Sequence, residues 1–186
     1  LVVDDAVDHR VYETGLDPSY SYSLAETADE IGPSFTRSDV VVYDHGQPGI
    51  AFQELKETVQ TTGVSAYVIV VAGAEPTPEL LSLACDEYLR KPVDAATLEQ
   101  AVDRAMALRN GDIREAVSLT QKVQVLEAAR SGSEQRPAID DARRRLRELA
   151  RPEVLCEIER IDADILSAQL GLIRGITDGR QAPRAD

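Results

Sequence analysis

The chain has 186 residues, enough for one large or two small domains with real cores, and a formal charge of −13. That charge lies wholly in the first part: residues 1–108 carry 6 Lys and Arg against 19 Asp and Glu, and residues 109–186 carry 14 of each sign. An acidic surface of this kind argues against wrapping nucleic acid, and no apolar run approaches the ~20 residues of a membrane-spanning helix. Cys85 and Cys156 are too few and too far apart for a disulfide framework or a thiolate metal site, and both are expected to be buried thiols. Lysine is confined to Lys56, Lys91 and Lys122. Many acids with few lysines suit a surface hydrated in concentrated salt, and equally an ordinary acidic cytosolic protein.

In chain order, strands are predicted at Leu1–Val3, Tyr20–Leu24, Val40–Tyr43, Tyr67–Val71 and Glu87–Leu89. The third and fourth are continuous β-branched runs, the pattern of strands buried on both faces. Helices are predicted at Val7–Thr14, Glu26–Phe35, Ala51–Thr61, Thr77–Ala84 and Ala95–Leu108, the second interrupted by Gly32-Pro33. In the last, Asp94 is the N-cap and Leu98, Ala101, Val102, Ala105 and Leu108 share one face. Five βα units in a row imply an α/β domain over 1–108, a five-stranded doubly wound parallel sheet with right-handed crossovers.

Past Asn110-Gly111 the pattern becomes helical, implying an all-α C-terminal module over 112–176 and a disordered tail over 177–186. Its predicted helices are Asp112–Arg130, with Ile113, Ala116, Leu119, Val123 and Leu126 on one face, then Ala138–Ala150, then Pro152 to about Arg174. Residues 131–137 read as a loop. In the third helix Val154, Ile158, Ile161, Ile165, Ala168 and Leu172 form a heptad-like stripe. Such a stripe serves either packing within the chain or a coiled-coil homodimer seam over 154–172.

Chemistry gathers where strands end. Asp4 and Asp5 close L-V-V-D-D, Asp44 closes D-V-V-V-Y-D, and Lys91 follows E-Y-L-R. In an open parallel sheet the carboxyl ends line one edge, where ligands bind. Three carboxylates together repel one another and call for a hard divalent cation such as Mg²⁺. A lysine beside them supplies positive charge for an anion such as a phosphoryl group.

The order and flanks of these motifs resemble a response-regulator receiver domain, of the CheY-like, flavodoxin-like fold. The resemblance implies that Asp44 accepts a phosphoryl group from a sensor histidine kinase, that Asp4, Asp5, Asp44 and the backbone carbonyl of Gly46 hold Mg²⁺, and that Lys91 contacts the phosphate. It also implies a cis Lys91-Pro92 bond and a turn at Pro48-Gly49, with Gln47 in place of the usual methionine. A cytoplasmic phosphoprotein of two-component signalling follows, one that catalyses only its own phosphotransfer and dephosphorylation and is not otherwise an enzyme. Tyr88 stands at the family's aromatic switch position. Ala72 stands where the family has Thr or Ser, whose hydroxyl bonds the phosphoryl oxygen, so the usual route from phosphate to aromatic switch is in doubt. His45 is read as a solvent-facing turn residue.

The segment V-A-G-A-E-P together with I-R-E-A-V-S-L-T-Q-K-V-Q-V-L-E (residues 113–127) resembles receivers of halophilic archaea that carry a HalX domain. Arg143, Arg144, Arg145 and Arg147 make a basic run, but Asp140, Asp141 and Glu148 flank it, so a solvated face is favoured over a DNA-binding helix. The reading is a two-component response regulator whose helical module serves output or dimerisation, with a link to transcription. A pseudo-receiver, binding partners without phosphorylation, is the alternative. A Mg²⁺-dependent phosphatase of similar fold is disfavoured, because its second catalytic aspartate would fall at Gly46.

Overall fold

The computed structural model describes residues 2–3, 18–27, 29–31, 40–46, 49–62, 66–73, 75, 85–108, 111–129, 136–160 and 171–175. The chain forms two compact units: Leu1–Ala74 with Ala84–Met106, and Glu75–Leu83 with Ala107–Asp186.

The first unit is α/β. Its strands are β1 (Val2–Val3), β2 (Leu24–Ala25), β3 (Val40–Asp44), β4 (Tyr67–Ala72) and β5 (Glu87–Arg90). They lie in the order β2-β1-β3-β4-β5, and each neighbouring pair is parallel. Every residue of β3 and β4 is buried, as continuous Val- and Ile-rich runs require when both faces of a sheet are covered. The strand order reverses between β1 and β3, and crevices at such switch points open at the strands' carboxyl ends.

Two described helices flank the sheet in sequence, α1 (Phe52–Thr62) and α2 (Ala95–Ala107). Glu54 starts α1 by reaching back to the Ala51 N–H at 3.0 Å, half of a capping box. Asp94 starts α2 as expected, its Oδ1 accepting the Thr97 N–H at 2.7 Å. That bond holds the Asp94 carboxyl below its ordinary pKa. The buried residues of α2 are Leu98, Ala101, Val102 and Ala105, and Leu108 beyond its end is buried too. This is the face that the helical periodicity marks out.

Other expectations change. The second strand is Leu24–Ala25 rather than Tyr20–Leu24, with Leu24 opposite Val2 and Ala25 opposite Val3 of β1. The tyrosines ahead of it take other roles: Tyr20 donates to Asp103 at 2.6 Å, and Tyr22 is exposed. Of the predicted helix 26–35, residues 29–31 are helical. Glu30 accepts the N–H groups of Glu26 (2.9 Å) and Thr27 (3.3 Å), which lowers its pKa. The predicted helices Val7–Thr14 and Thr77–Ala84 and the tail 177–186 lie outside the described residues.

The described helices of the second unit are α3 (Gly111–Ala128), α4 (Arg136–Leu149), α5 (Pro152–Arg160) and a helical turn at 171–175. α4 begins inside the expected loop, since Pro137 is tolerated in a first helical turn. It buries Ile139, Ala142, Leu146 and Leu149 at steps of three and four. Burial on α3 is wider than the single face foreseen. Ile113, Ala116, Val123 and Leu126 are buried, but so are Ser118, Thr120, Gln121 and Lys122, while Leu119 is only half-buried. Both α4 and α5 pack on α3, so more than one of its faces is covered. The Thr120 hydroxyl satisfies itself on the Ala116 carbonyl at 2.7 Å.

On α5, Val154 and Ile158 are buried within the chain, and Leu172 further on is half-buried. Ile161, Ile165 and Ala168 lie outside the described residues. Cys85 is buried as expected, but Cys156 is exposed. Two residues along a helix turn roughly 200°, so Cys156 faces away from the side on which Val154 is buried.

Candidate functional site

β3 carries Asp44 to the carboxyl edge of the sheet, where the residue is 3% exposed. A carboxylate so buried needs partners, and each of its oxygens has one. Oδ1 accepts the Gly46 N–H at 2.8 Å, and Oδ2 is ion-paired with Lys91 Nζ. The Gly46 bond is an Asx turn, in which aspartate holds the backbone two residues on.

The sheet register brings the lysine there. Asp44 pairs with Val71 on β4, Ala72 pairs with Arg90 on β5, and the Lys91 N–H donates to the Ala72 carbonyl at 2.9 Å. Lys91 thus leaves the sheet two strands from Asp44, about 10 Å away at ordinary strand spacing. Its side chain spans that gap past the end of β4, where Ala72 is small and buried and Gly73 has no side chain. The Lys91-Pro92 bond is cis. With a side chain 37% exposed, Lys91 faces both solvent and the buried carboxylate.

Val3 of β1 pairs with Tyr43, the neighbour of Asp44. Asp4 and Asp5 are the next two residues in sequence and lie outside the described residues, as do Gln47 and Pro48. Among the described residues no three His, Cys, Asp or Glu side chains cluster as a metal site. Gly46 is exposed, and a Cβ there would come within 3.4 Å of Asp44 Oδ1. Tyr88 is buried on β5 opposite Val70. Ala72 places a buried methyl group at the end of β4.

Two features escaped the sequence reading. The first is Tyr43, fully buried beside Asp44, whose hydroxyl donates to the Ile50 carbonyl at 2.8 Å. Its ring packs on Phe52 (centroids 5.3 Å apart) and His45 (6.2 Å). The signal was present as the one hydroxyl-bearing residue in V-V-V-Y-D. The second is a buried ion pair between Glu87 on β5 and Arg104 on α2, which no local pattern announces. His45 is exposed at the turn as expected, with its N–H on the Val71 carbonyl at 2.8 Å and its ring edge-on to Phe52.

In the helical unit three arginines of the run are occupied. Arg143 pairs with Glu127, Arg144 with Asp141, and Arg145 with Glu115 (2.8 Å) and Glu148 (3.3 Å). The Glu115 contact, foremost, holds the Arg145 guanidinium above its already high pKa. Arg151 pairs with Asp112, so partners run in opposite directions along α3 and α4, an antiparallel seam.

No family model matches the chain. Over 112 residues, 58% of its length, the chain is 26% identical to a Haloferax volcanii protein named "Putative transcriptional regulator", and the match spans 19% of that protein. The crystal structure of full-length FixJ from B. japonicum superposes with a TM-score of 0.50 over 96% of each chain, at 18% identity. That likeness bears on fold alone. Among the described residues no helix is long and apolar enough to cross a membrane.

Proposed function

We propose that the chain is a two-component response regulator that takes a phosphoryl group on Asp44 from a sensor histidine kinase. The observation that carries this reading is the buried Asp44 carboxylate at the sheet's switch edge, held by the Gly46 N–H on one oxygen and Lys91 on the other. In the transfer, an Asp44 oxygen forms a bond to phosphorus as the donor's P–N bond breaks, and the departing imidazole takes a proton from water. Such transfers depend on positioning and charge neutralisation more than on covalent help from the protein. Lys91 offsets the incoming charge, and the Gly46 N–H fixes the attacking carboxylate. Asp44 with Asp4, Asp5 and the Gly46 carbonyl are the hard oxygen donors that would hold Mg²⁺, which when bound neutralises phosphoryl charge.

A second reading, a scaffold that binds without phosphorylation, is favoured by one observation: Ala72 at the end of β4 has no hydroxyl to hold a phosphoryl oxygen. The helical unit is assigned output or dimerisation, with HalX-like character resting on residues 113–127 alone. The relative named as a transcriptional regulator supports a link to transcription. A DNA-binding α4 is disfavoured by the carboxylates already on its arginines. A homodimer over 154–172 would have to use the part of the stripe beyond Val154 and Ile158, since those two are already covered.

The test is intact mass after incubation with acetyl phosphate and Mg²⁺ at high salt, where P–O cleavage releases acetate. A single added phosphate on the wild type, absent from Asp44→Asn, is expected. No adduct on either protein selects the scaffold reading.

A further inference from the structure

The segment between β3 and α1, of which residues 45, 46 and 49–51 are described, carries the Gly46 N–H that touches Asp44. It is tied at both ends. At its start the His45 N–H is on the Val71 carbonyl and the Gly46 N–H on Asp44 Oδ1; at its end the Tyr43 hydroxyl holds the Ile50 carbonyl and Glu54 holds the Ala51 N–H. Tyr43 is the one member of this set that joins the strand before Asp44 directly to the far end of the loop. Alternation along a strand sends its side chain to the face opposite that of Asp44. It therefore makes no claim on the phosphoryl site itself. Its ring is 1% exposed and wedged beside Phe52, so the phenol has little freedom to turn away. An aliphatic residue would fill such a core position without the hydroxyl; the hydroxyl adds a hydrogen bond that is buried and hence strengthened by its surroundings.

We propose that Tyr43 is a positioning residue for phosphoryl acceptance: its bond to the Ile50 carbonyl anchors the far end of the segment that follows Asp44 and thereby sets how the Gly46 N–H presents the Asp44 carboxylate. This rests on the acceptor role proposed above for Asp44. Two contacts in series then fix the reacting group, Tyr43 to loop and loop to carboxylate. Losing the first leaves the fold intact but lets the second drift.

The experiment uses the full chain as Tyr43→Phe, which keeps the ring and removes only the hydroxyl, with Phe52→Leu as a control that keeps the hydroxyl bond. Amide hydrogen exchange of peptides covering 45–51 and the rate of phosphate uptake from acetyl phosphate are both followed. Loss of one buried hydrogen bond predicts roughly fivefold faster exchange in 45–51 for Tyr43→Phe, with β4 peptides unchanged. Misplacement of the carboxylate predicts a roughly tenfold lower maximal uptake rate at unchanged half-saturating donor concentration. Phe52→Leu should leave the uptake rate near wild type. Wild-type exchange in the Tyr43→Phe loop, or a loosened loop with wild-type uptake, overturns the clasp while leaving Asp44 as acceptor. A wild type that takes up no phosphate overturns the acceptor reading and the clasp's role with it.

Discussion

Among the described residues of the α/β unit two acidic groups are buried and each is met by a cation, Asp44 by Lys91 and Glu87 by Arg104, whereas the ion pairs along the α3–α4 seam of the helical unit lie on the surface. The two arrangements obey different energetics. A buried carboxylate has lost its hydration and depends on its partner. An exposed pair merely exchanges one solvated state for another and contributes little. The difference separates a region where charge is paired in the interior from one where it is paired at the surface. Burial at Asp44 keeps water from competing for a carboxylate that would otherwise be fully solvated. On α4 the arginines are balanced by near neighbours, and apolar Ile139, Ala142, Leu146 and Leu149 carry the packing.

Removing a cation from each region sharpens the contrast. Arg104→Met, which takes the guanidinium from a carboxylate only 3% exposed, is expected to lower stability by about 3 kcal/mol in denaturant unfolding. An unchanged midpoint would mean that Glu87 is solvated after all. Arg143→Ala on the seam should cost about 0.5 kcal/mol or less, shrinking further in 1 M salt as screening shortens to about 3 Å. A loss comparable to that of Arg104→Met would erase the distinction between the units. The smallest effect belongs to the exposed cap of α2. The Thr97 N–H lowers the Asp94 pKa from its ordinary 3.8, so the folded state binds that proton less tightly than the unfolded one. The cap's contribution is therefore complete above that value and fades as pH falls below it. Asp94→Asn should remove this acid-side dependence while keeping the cap, and Asp94→Ala should remove both.

Much of the α/β unit was legible because its signals are local. The runs V-V-V-Y and Y-V-I-V-V announce buried strands, Asp94 announces a helix start, and the periodic face of 95–108 matches the buried set. The strand of 20–24 misled because S-Y-S-Y-S-L alternates like a half-buried strand, yet Tyr20 is taken by Asp103 and Tyr22 by solvent. Cys156 misled because thiols are usually buried, whereas helical phase relative to Val154 put this one outside. On α3 a five-residue apolar stripe gave no hint that Lys122 and Gln121 would also be covered, since that depends on how many helices pack against it.

Asp44 and Lys91 could be named from the chain alone, because strand ends are encoded by where apolar runs stop and a parallel sheet must align those ends. Which partners each would hold belonged to the tertiary structure. The Lys91–Asp44 pair needs the β3-β4-β5 register, the Glu87–Arg104 pair needs α2 against β5, and the Tyr43 clasp needs the loop to fold back over its own strand. Composition and periodicity report on a residue's neighbours in sequence. Contacts between residues 47, 17 and 7 positions apart are set only when packing closes the distance.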